Sequence, residues 1–490
     1  MPEKKSSIRK ALVLSFAQKY TGLALTLPSV IILSRILTPK EIGVYSVAAG
    51  LTALATIMRT FGVSEYLVQS KTVTEAMIRT SFTVNLMLAW FLALVLFVSS
   101  WQIGIFYDDP GVGRVARVLS GTFVLVPFGV TATALLQRDL AFSALYKIRT
   151  VENVVRTLLT VGLAFAGFSY MSMAWGSLAS MMAMVLSCSI WGQGRRARGL
   201  SLVEWRRMLP FGAKLTASNV AVQLGEQSAN IVVGKMLGMA AAGFYSRGYG
   251  LVNIFRDKVV SAISDVAFPA FAAEHRDENA APRLFIKSLV YLTGISWPFF
   301  AFAALMAFPI IRIMFGNQWD AAVPLMRWLC GAAIVGTLIY QCNDFLVAVG
   351  RVGAVTKVEM QYQFARLVLA IAAAWYSLEA VAASQVLVYA IAVGLYHRNV
   401  RDFEQLSFRE CAKALVPSAW VTVTSCVVPA IVLSWPGFLD HHLYAGFAMA
   451  ILGGGAGWLF GIFAVKHPLL DELQRVKIRV HGYFGALQKR

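Results

Sequence analysis

The sequence predicts an all-α integral membrane protein of about fourteen transmembrane helices, built from two related halves. Three observations carry that prediction. Of 490 residues, 58% are hydrophobic and only 14% are charged, against roughly 25% charged in a soluble domain. The apolar runs are about twenty residues long and do not alternate; in lipid only helices or closed barrels satisfy the backbone, and this pattern selects helices. The third observation is an internal repeat. Residues 31–51, IILSRILTPKEIGVYSVAAGL, are answered without a gap at 231–251 by IVVGKMLGMAAAGFYSRGYGL. Ile31, Leu37, Gly43, Tyr45, Ser46, Gly50 and Leu51 recur as Ile231, Leu237, Gly243, Tyr245, Ser246, Gly250 and Leu251, and Arg35 is answered by Lys235. Apolar identities arise by chance in membrane helices; a matched G-x-Y-S-x-x-x-G-L carries the weight. A second register, offset by 210, maps Arg117, Gly121, Lys147 and Arg156 onto Arg327, Gly331, Lys357 and Arg366.

In chain order, the first half places spans near 12–36, 42–63, 80–100, 113–136, 150–168 and 171–191, an N-terminal lobe over 1–191. The first pair turns at Thr38-Pro39-Lys40-Glu41, closed by Gly43; Pro39, Gly43 and Gly243 are the hinge positions. Residues 192–208, with QGRRARG and EWRR, form a basic linker. The second lobe, 209–397, holds spans near 211–234, 241–265, 285–311, 322–349, 355–376 and 379–396. Spans near 414–434 and 443–465 occupy 410–466, and the tail 467–490 follows. In that tail Leu469, Leu473, Val476, Val480, Tyr483 and Leu487 recur every three or four residues, the pattern of a helix lying on the inner leaflet or against a partner. The N-terminal apolar run is too long for a signal peptide and has no small-residue cleavage site, so the first helix is expected to stay.

The net charge of +19 points first to topology, not to nucleic acid. Assigning loops alternately from a cytoplasmic N-terminus puts twenty-nine Lys and Arg inside and six outside: Arg35, Lys40, Arg114, Arg117, Lys235 and Arg312. That bias obeys the positive-inside rule and places both termini in the cytoplasm. The five cysteines show no metal or disulfide spacing. No Walker A sequence is present, and the longest loops are about twenty residues, too short for the extramembrane domain of a glycan polymerase or ligase.

Nine basic residues fall within the spans: Lys19, Arg59, Arg156, Lys214, Arg247, Arg256, Lys258, Arg327 and Arg366. Each costs several kcal/mol at the bilayer centre unless paired or hydrated. The two lobes are therefore expected to enclose a wet, basic cavity suited to a phosphate or diphosphate, with Lys19, Arg59, Arg256 and Lys258 as contacts. The seventh span is the most polar. Asn219, Gln223, Gln227 and Asn230 share one face, where amides suit sugar hydroxyls or helix packing. Glu226 on that face, then Asp344, are the candidate carboxylates for coupling to H+ or Na+; no other cofactor is expected. Gly453, Gly457 and Gly461 read as a helix-packing face.

Residues 33–69, LSRILTPKEIGVYSVAAGLTALATIMRTFGVSEYLVQ, resemble the opening helix pair of bacterial polysaccharide flippases of the multidrug/oligosaccharidyl-lipid/polysaccharide (MOP) superfamily. The shared pattern is Arg35, Leu37, Pro39, Ile42, Gly43 and Tyr45, then Gly62, Val63, Leu67, Val68 and Gln69; Thr60 stands where relatives often carry an acid. The resemblance implies a MATE-like fold of two six-helix lobes plus two peripheral helices. It implies alternating-access transport of undecaprenyl-diphosphate-linked oligosaccharide across the bacterial inner membrane, for exopolysaccharide, capsule or O-antigen. Membrane lipid and the polysaccharide polymerase, chain-length and export proteins are the implied partners. The alternatives are a superfamily exporter of another substrate, such as the peptidoglycan lipid precursor or a drug, and less favourably a membrane glycan polymerase or ligase. A cation exporter should show surplus acid within its spans, and here the surplus is basic.

Overall fold

The computed structural model describes residues 2–60, 66–68, 70, 72–192, 199–274, 281–404 and 408–471, and among these no strand occurs. The side chains of Lys19 and Lys258 and nearly all of the tail helix lie outside the described residues, as does part of the 192–208 linker. Among the described residues the apolar stretches fall on helices or on bent or broken helix pairs. Eight described helices are individually long and apolar enough to cross a membrane, or nine with one bent pair counted as a span. The chain divides into two compact units, Met1–Ser246 and Arg247–Arg490.

The first unit holds α1 (Pro2–Ile36), α2 (Pro39–Thr60), α3 (Glu75–Phe106), α4 (Pro110–Leu125), α5 (Pro127–Arg138), α6 (Phe142–Phe165), α7 (Met171–Trp191), α8 (Trp205–Met236) and the first turns of α9 (Met239–Glu274). Sequence sets the breaks. Thr38 and Glu41 cap α2 reciprocally: the Thr38 N–H donates to Glu41 Oε2 at 2.7 Å, and the Glu41 N–H to Thr38 Oγ1 at 3.3 Å. This is a capping box with proline at the first helical position, where a missing N–H costs nothing. Thr74 caps α3 and Asp109 caps α4 through side-chain acceptors. The fourth stretch bends by 54° between α4 and α5, where Pro127 has no N–H to continue the ladder.

The second unit continues α9 and adds α10 (Ala281–Leu305), α11 (Ala307–Phe315), α12 (Ala322–Ala348), α13 (Val352–Ala374), α14 (Leu378–Glu404), α15 (Phe408–Ser434), α16 (Phe438–His441) and α17 (Leu443–Ala464). Phe285, Leu289, Ile339, Phe345, Val388 and Tyr396 interlock α10, α12 and α14 in its core. The glycine face of α17 is a packing face: a Cβ on Gly457 would sit 2.2 Å from the Thr424 carbonyl oxygen of α15.

Past α17 the chain folds back against α10 and α15 through His467, which is 1% exposed. The Leu469 N–H donates to His467 Nδ1 at 3.2 Å, so that nitrogen carries no proton. Nε2 then donates to Ser418 Oγ at 3.1 Å, and Ser418 in turn meets Thr293 Oγ1 at 2.9 Å. Burial holds the His467 pKa down at about 4, from an ordinary 6.5. Between those values the unfolded chain binds a proton that the folded chain excludes. Stability is therefore full above about pH 6.5 and falls as pH drops toward 4. His467→Asn is expected to flatten this slope in thermal unfolding of the detergent-solubilised protein; an unchanged slope would place the titration elsewhere.

Candidate functional site

The two copies of the repeated motif touch each other inside the first unit. A Cβ on Gly43 of α2 would lie 1.7 Å from the Met239 carbonyl oxygen of α9; a Cβ on Gly243 would lie 1.9 Å from the Pro39 carbonyl oxygen of α2. Residues 43 and 243, and 39 and 239, are partners in the 200-residue register. The contact is thus reciprocal, as across a local two-fold axis. Ser46 Oγ and Ser246 Oγ, also register partners, are 2.8 Å apart. Glycine is demanded at both positions, because any side chain would push the helix starts apart.

The seam continues between α2 and α8. Gly234 receives Val47, and Gln227 lies over Gly50, its Oε1 3.1 Å from where a Cβ would stand. Flanking ion pairs reinforce it: Lys235 Nζ meets Asp108 Oδ2 at 2.8 Å, and Lys40 Nζ meets Asp109 Oδ2 at 3.7 Å. These pairs are exposed on one or both sides, worth at most about 1 kcal/mol each. The close backbone approach holds the seam more than they do. The hinges differ in chemistry: where the first copy uses the Thr38–Glu41 cap, the second uses Gly238 at φ +89°, a left-handed position ending α8.

The expected site residues fall in both units. In the first, the polar face of α8 is half-buried at Asn219, Gln223 and Gln227 and buried at Asn230. Gln227 faces α2, so at least one of the amides serves the helix contact. Arg59 lies in the last turn of α2, 6% exposed. In the second unit, Arg256 of α9 donates from Nη1 to the Tyr389 hydroxyl at 3.4 Å. Arg366 of α13, 4% exposed, sits over the rings of Tyr389 at 5.1 Å and Tyr362 at 5.7 Å, and donates to Gln363 Oε1 at 3.1 Å. Two guanidinium groups thus converge on one tyrosine, Arg366 over its ring and Arg256 at its hydroxyl. Glu359 supplies nearby negative charge, accepting from the Tyr396 hydroxyl at 2.8 Å.

The family model described as polysaccharide biosynthesis protein matches residues 32–324, which begin in the last turns of α1 and take in both hinges. This chain belongs to that family. Among relatives of this polysaccharide biosynthesis protein, the lipopolysaccharide biosynthesis protein WzxC of Escherichia coli K12 is 26% identical, over 67% of this chain and 68% of WzxC. The teichuronic acid biosynthesis protein TuaB of Bacillus subtilis 168 is 27% identical, over 61% and 62%. The succinoglycan biosynthesis transport protein ExoT of Rhizobium meliloti 1021 is 26% identical, over 66% and 65%. The fold matches the lipid II flippase MurJ in its inward closed conformation with a TM-score of 0.77 at 11% identity, over 94% of this chain and 99% of MurJ. It matches an inward-facing MATE transporter of the MOP superfamily at 0.60 and 12%, over 79% and 96%. The MOP-type fold expected from residues 33–69 is therefore present. The protein is a multi-pass membrane transporter of polysaccharide biosynthesis, not a polymerase or ligase.

Within this family member, Glu226 of α8 and Asp344 of α12 are both half-buried. Among the described residues no group of three or more His, Cys, Asp or Glu side chains could hold a metal ion. The sequence singles out Arg256 as a contact, but not Tyr389 beside it, nor Tyr362 and Gln363 beside Arg366. The available signal is the 210-residue register, which pairs Arg366 with Arg156.

Proposed function

We propose that this protein flips an undecaprenyl-diphosphate-linked oligosaccharide from the cytoplasmic to the periplasmic leaflet of the bacterial inner membrane. It does so by alternating access, with both termini in the cytoplasm. The reciprocal seam of Gly43–Gly243 and Ser46–Ser246 carries the reading. By the positive-inside assignment it lies at the periplasmic ends of the helices, where it seals that side and must part for delivery. Arg59 is buried in the first unit, and in the second Arg366 is buried beside the half-buried Arg256; such guanidinium groups suit a diphosphate by charge and by their forked donors. Lys19 and Lys258 join them as diphosphate contacts. Asn219, Gln223 and Asn230 supply amides for sugar hydroxyls, with Gln227 divided between sugar and seam. Glu226 or Asp344 takes the coupling H+ or Na+, and no other cofactor takes part. The polysaccharide polymerase and the chain-length and export proteins receive the delivered unit.

Deletion of the gene followed by lipid extraction tests the reading. An isoprenoid-linked glycan should accumulate on the cytoplasmic side and surface polysaccharide should disappear. Arg59→Ala and Arg256→Ala should each lower surface polysaccharide about tenfold or more, the loss of one charge-assisted contact, with the protein at normal levels in the membrane. Normal polysaccharide from both variants would remove these arginines from the substrate path.

A further inference from the structure

A cavity of about 510 Å³ opens between the end of α3 and the first turns of α4, lined in part by Ser100, Trp101, Ile105, Arg114 and Arg117. Arg114 and Arg117 stand one turn apart on α4 and are both exposed. Arg117 is held in place: its Nε donates to Ser100 Oγ at 3.2 Å, and its guanidinium lies 5.7 Å from the Phe97 ring centre. Among the described residues neither arginine has a carboxylate partner. The acids at this end are already engaged, Asp108 by Lys235 and Asp109 by Lys40 and the Gly111 N–H.

The surface beside the cavity is apolar. Along α3 the side chains of Phe91, Leu94, Val98, Trp101 and Ile105 are all exposed, Trp101 to 69% and Ile105 to 64%. In a membrane helix such a stripe meets acyl chains, and a tryptophan at its end marks the headgroup depth. At that depth two guanidinium groups without a carboxylate partner attract an anionic headgroup. One molecule satisfies both features: its phosphate pairs with the forked donors, and its chain follows the stripe.

We propose that the α3–α4 groove binds a phosphate-bearing membrane lipid, with the phosphate on Arg114 and Arg117 and an acyl chain along α3. By the topology proposed above this is an outer-leaflet lipid; only that leaflet assignment rests on the transport reading. The binding itself does not, and it is distinct from the arginines assigned to the transported substrate.

The test is native mass spectrometry of the delipidated full-length protein titrated with phosphatidylglycerol. The wild type should hold one lipid more tightly than those that follow. Arg114→Gln/Arg117→Gln should weaken that first lipid about tenfold or more, and Arg117→Lys, which keeps the charge but loses the fork, by an intermediate factor. Lys357→Gln, an exposed cation on another helix, should leave it unchanged. Equal affinity in the double variant, or an equal loss in Lys357→Gln, would overturn the site. Displacement of the lipid by millimolar inorganic phosphate would overturn its assignment to a lipid. Loss of lipid binding with normal polysaccharide export would leave the groove intact as a lipid site and separate it from transport.

Discussion

Gly43→Val and Gly243→Val should each abolish most polysaccharide export while leaving the protein folded in the membrane. The Cβ alone would lie 1.7 Å from the Met239 carbonyl oxygen, or 1.9 Å from that of Pro39. Both obstacles are backbone, which no rotamer change relieves. The helix starts must separate, at about 1–3 kcal/mol for an overpacked contact. An energy of that size shifts a two-state equilibrium by roughly five- to 150-fold away from the sealed form. On the transport reading proposed above, a carrier that seldom closes this seam cannot complete its cycle. The repeat supplies the control. Gly250 matches Gly50 in register, yet a Cβ at Gly250 meets nothing within 4 Å. Gly250→Ala should therefore export normally, and a helix interior favours alanine. Export at wild-type levels from Gly43→Val would show that the contact is not part of the cycle.

Much of the fold is legible in the sequence because hydropathy reports span length directly. Among the described residues the apolar stretches fall on helices, eight or nine of them long and apolar enough to cross a membrane, and the G-x-Y-S match identifies the duplicated pair without any knowledge of contacts. The meeting of the two copies is not legible. Sequence records that a motif occurs twice, not that an axis passes between the copies. Matched small residues, Gly with Gly and Ser with Ser, are the available hint, since contact across such an axis requires small groups on both sides. The hinge is half legible. Pro39 and Glu41 mark a helix start, but the second copy replaces that cap with Gly238, whose role depends on a positive φ that no side chain announces. The cationic residues are legible as costs, not as partners. Nothing in the spacing of Arg256, Arg366 and Tyr389 says that three helices bring them together. The amide face of α8 reads as one surface in the sequence, yet Gln227 lies on Gly50 of α2, so packing and substrate contact divide it.

Transport as proposed here requires that the Ser46–Ser246 seam, closed in this conformation, open for delivery. A covalent clamp asks that directly. The hydroxyl oxygens are 2.8 Å apart, close enough for a pair of cysteines to form a disulfide with small adjustments. Ser46→Cys/Ser246→Cys would be made in a background where Cys188, Cys330, Cys342, Cys411 and Cys426, all free, are replaced. Transport of the isoprenoid-linked glycan is then measured in the oxidised and reduced protein. Cross-linking should proceed in high yield, transport should stop while the disulfide is intact, and reductant should restore it. A fully cross-linked protein that transports at the reduced rate would contradict an opening seam.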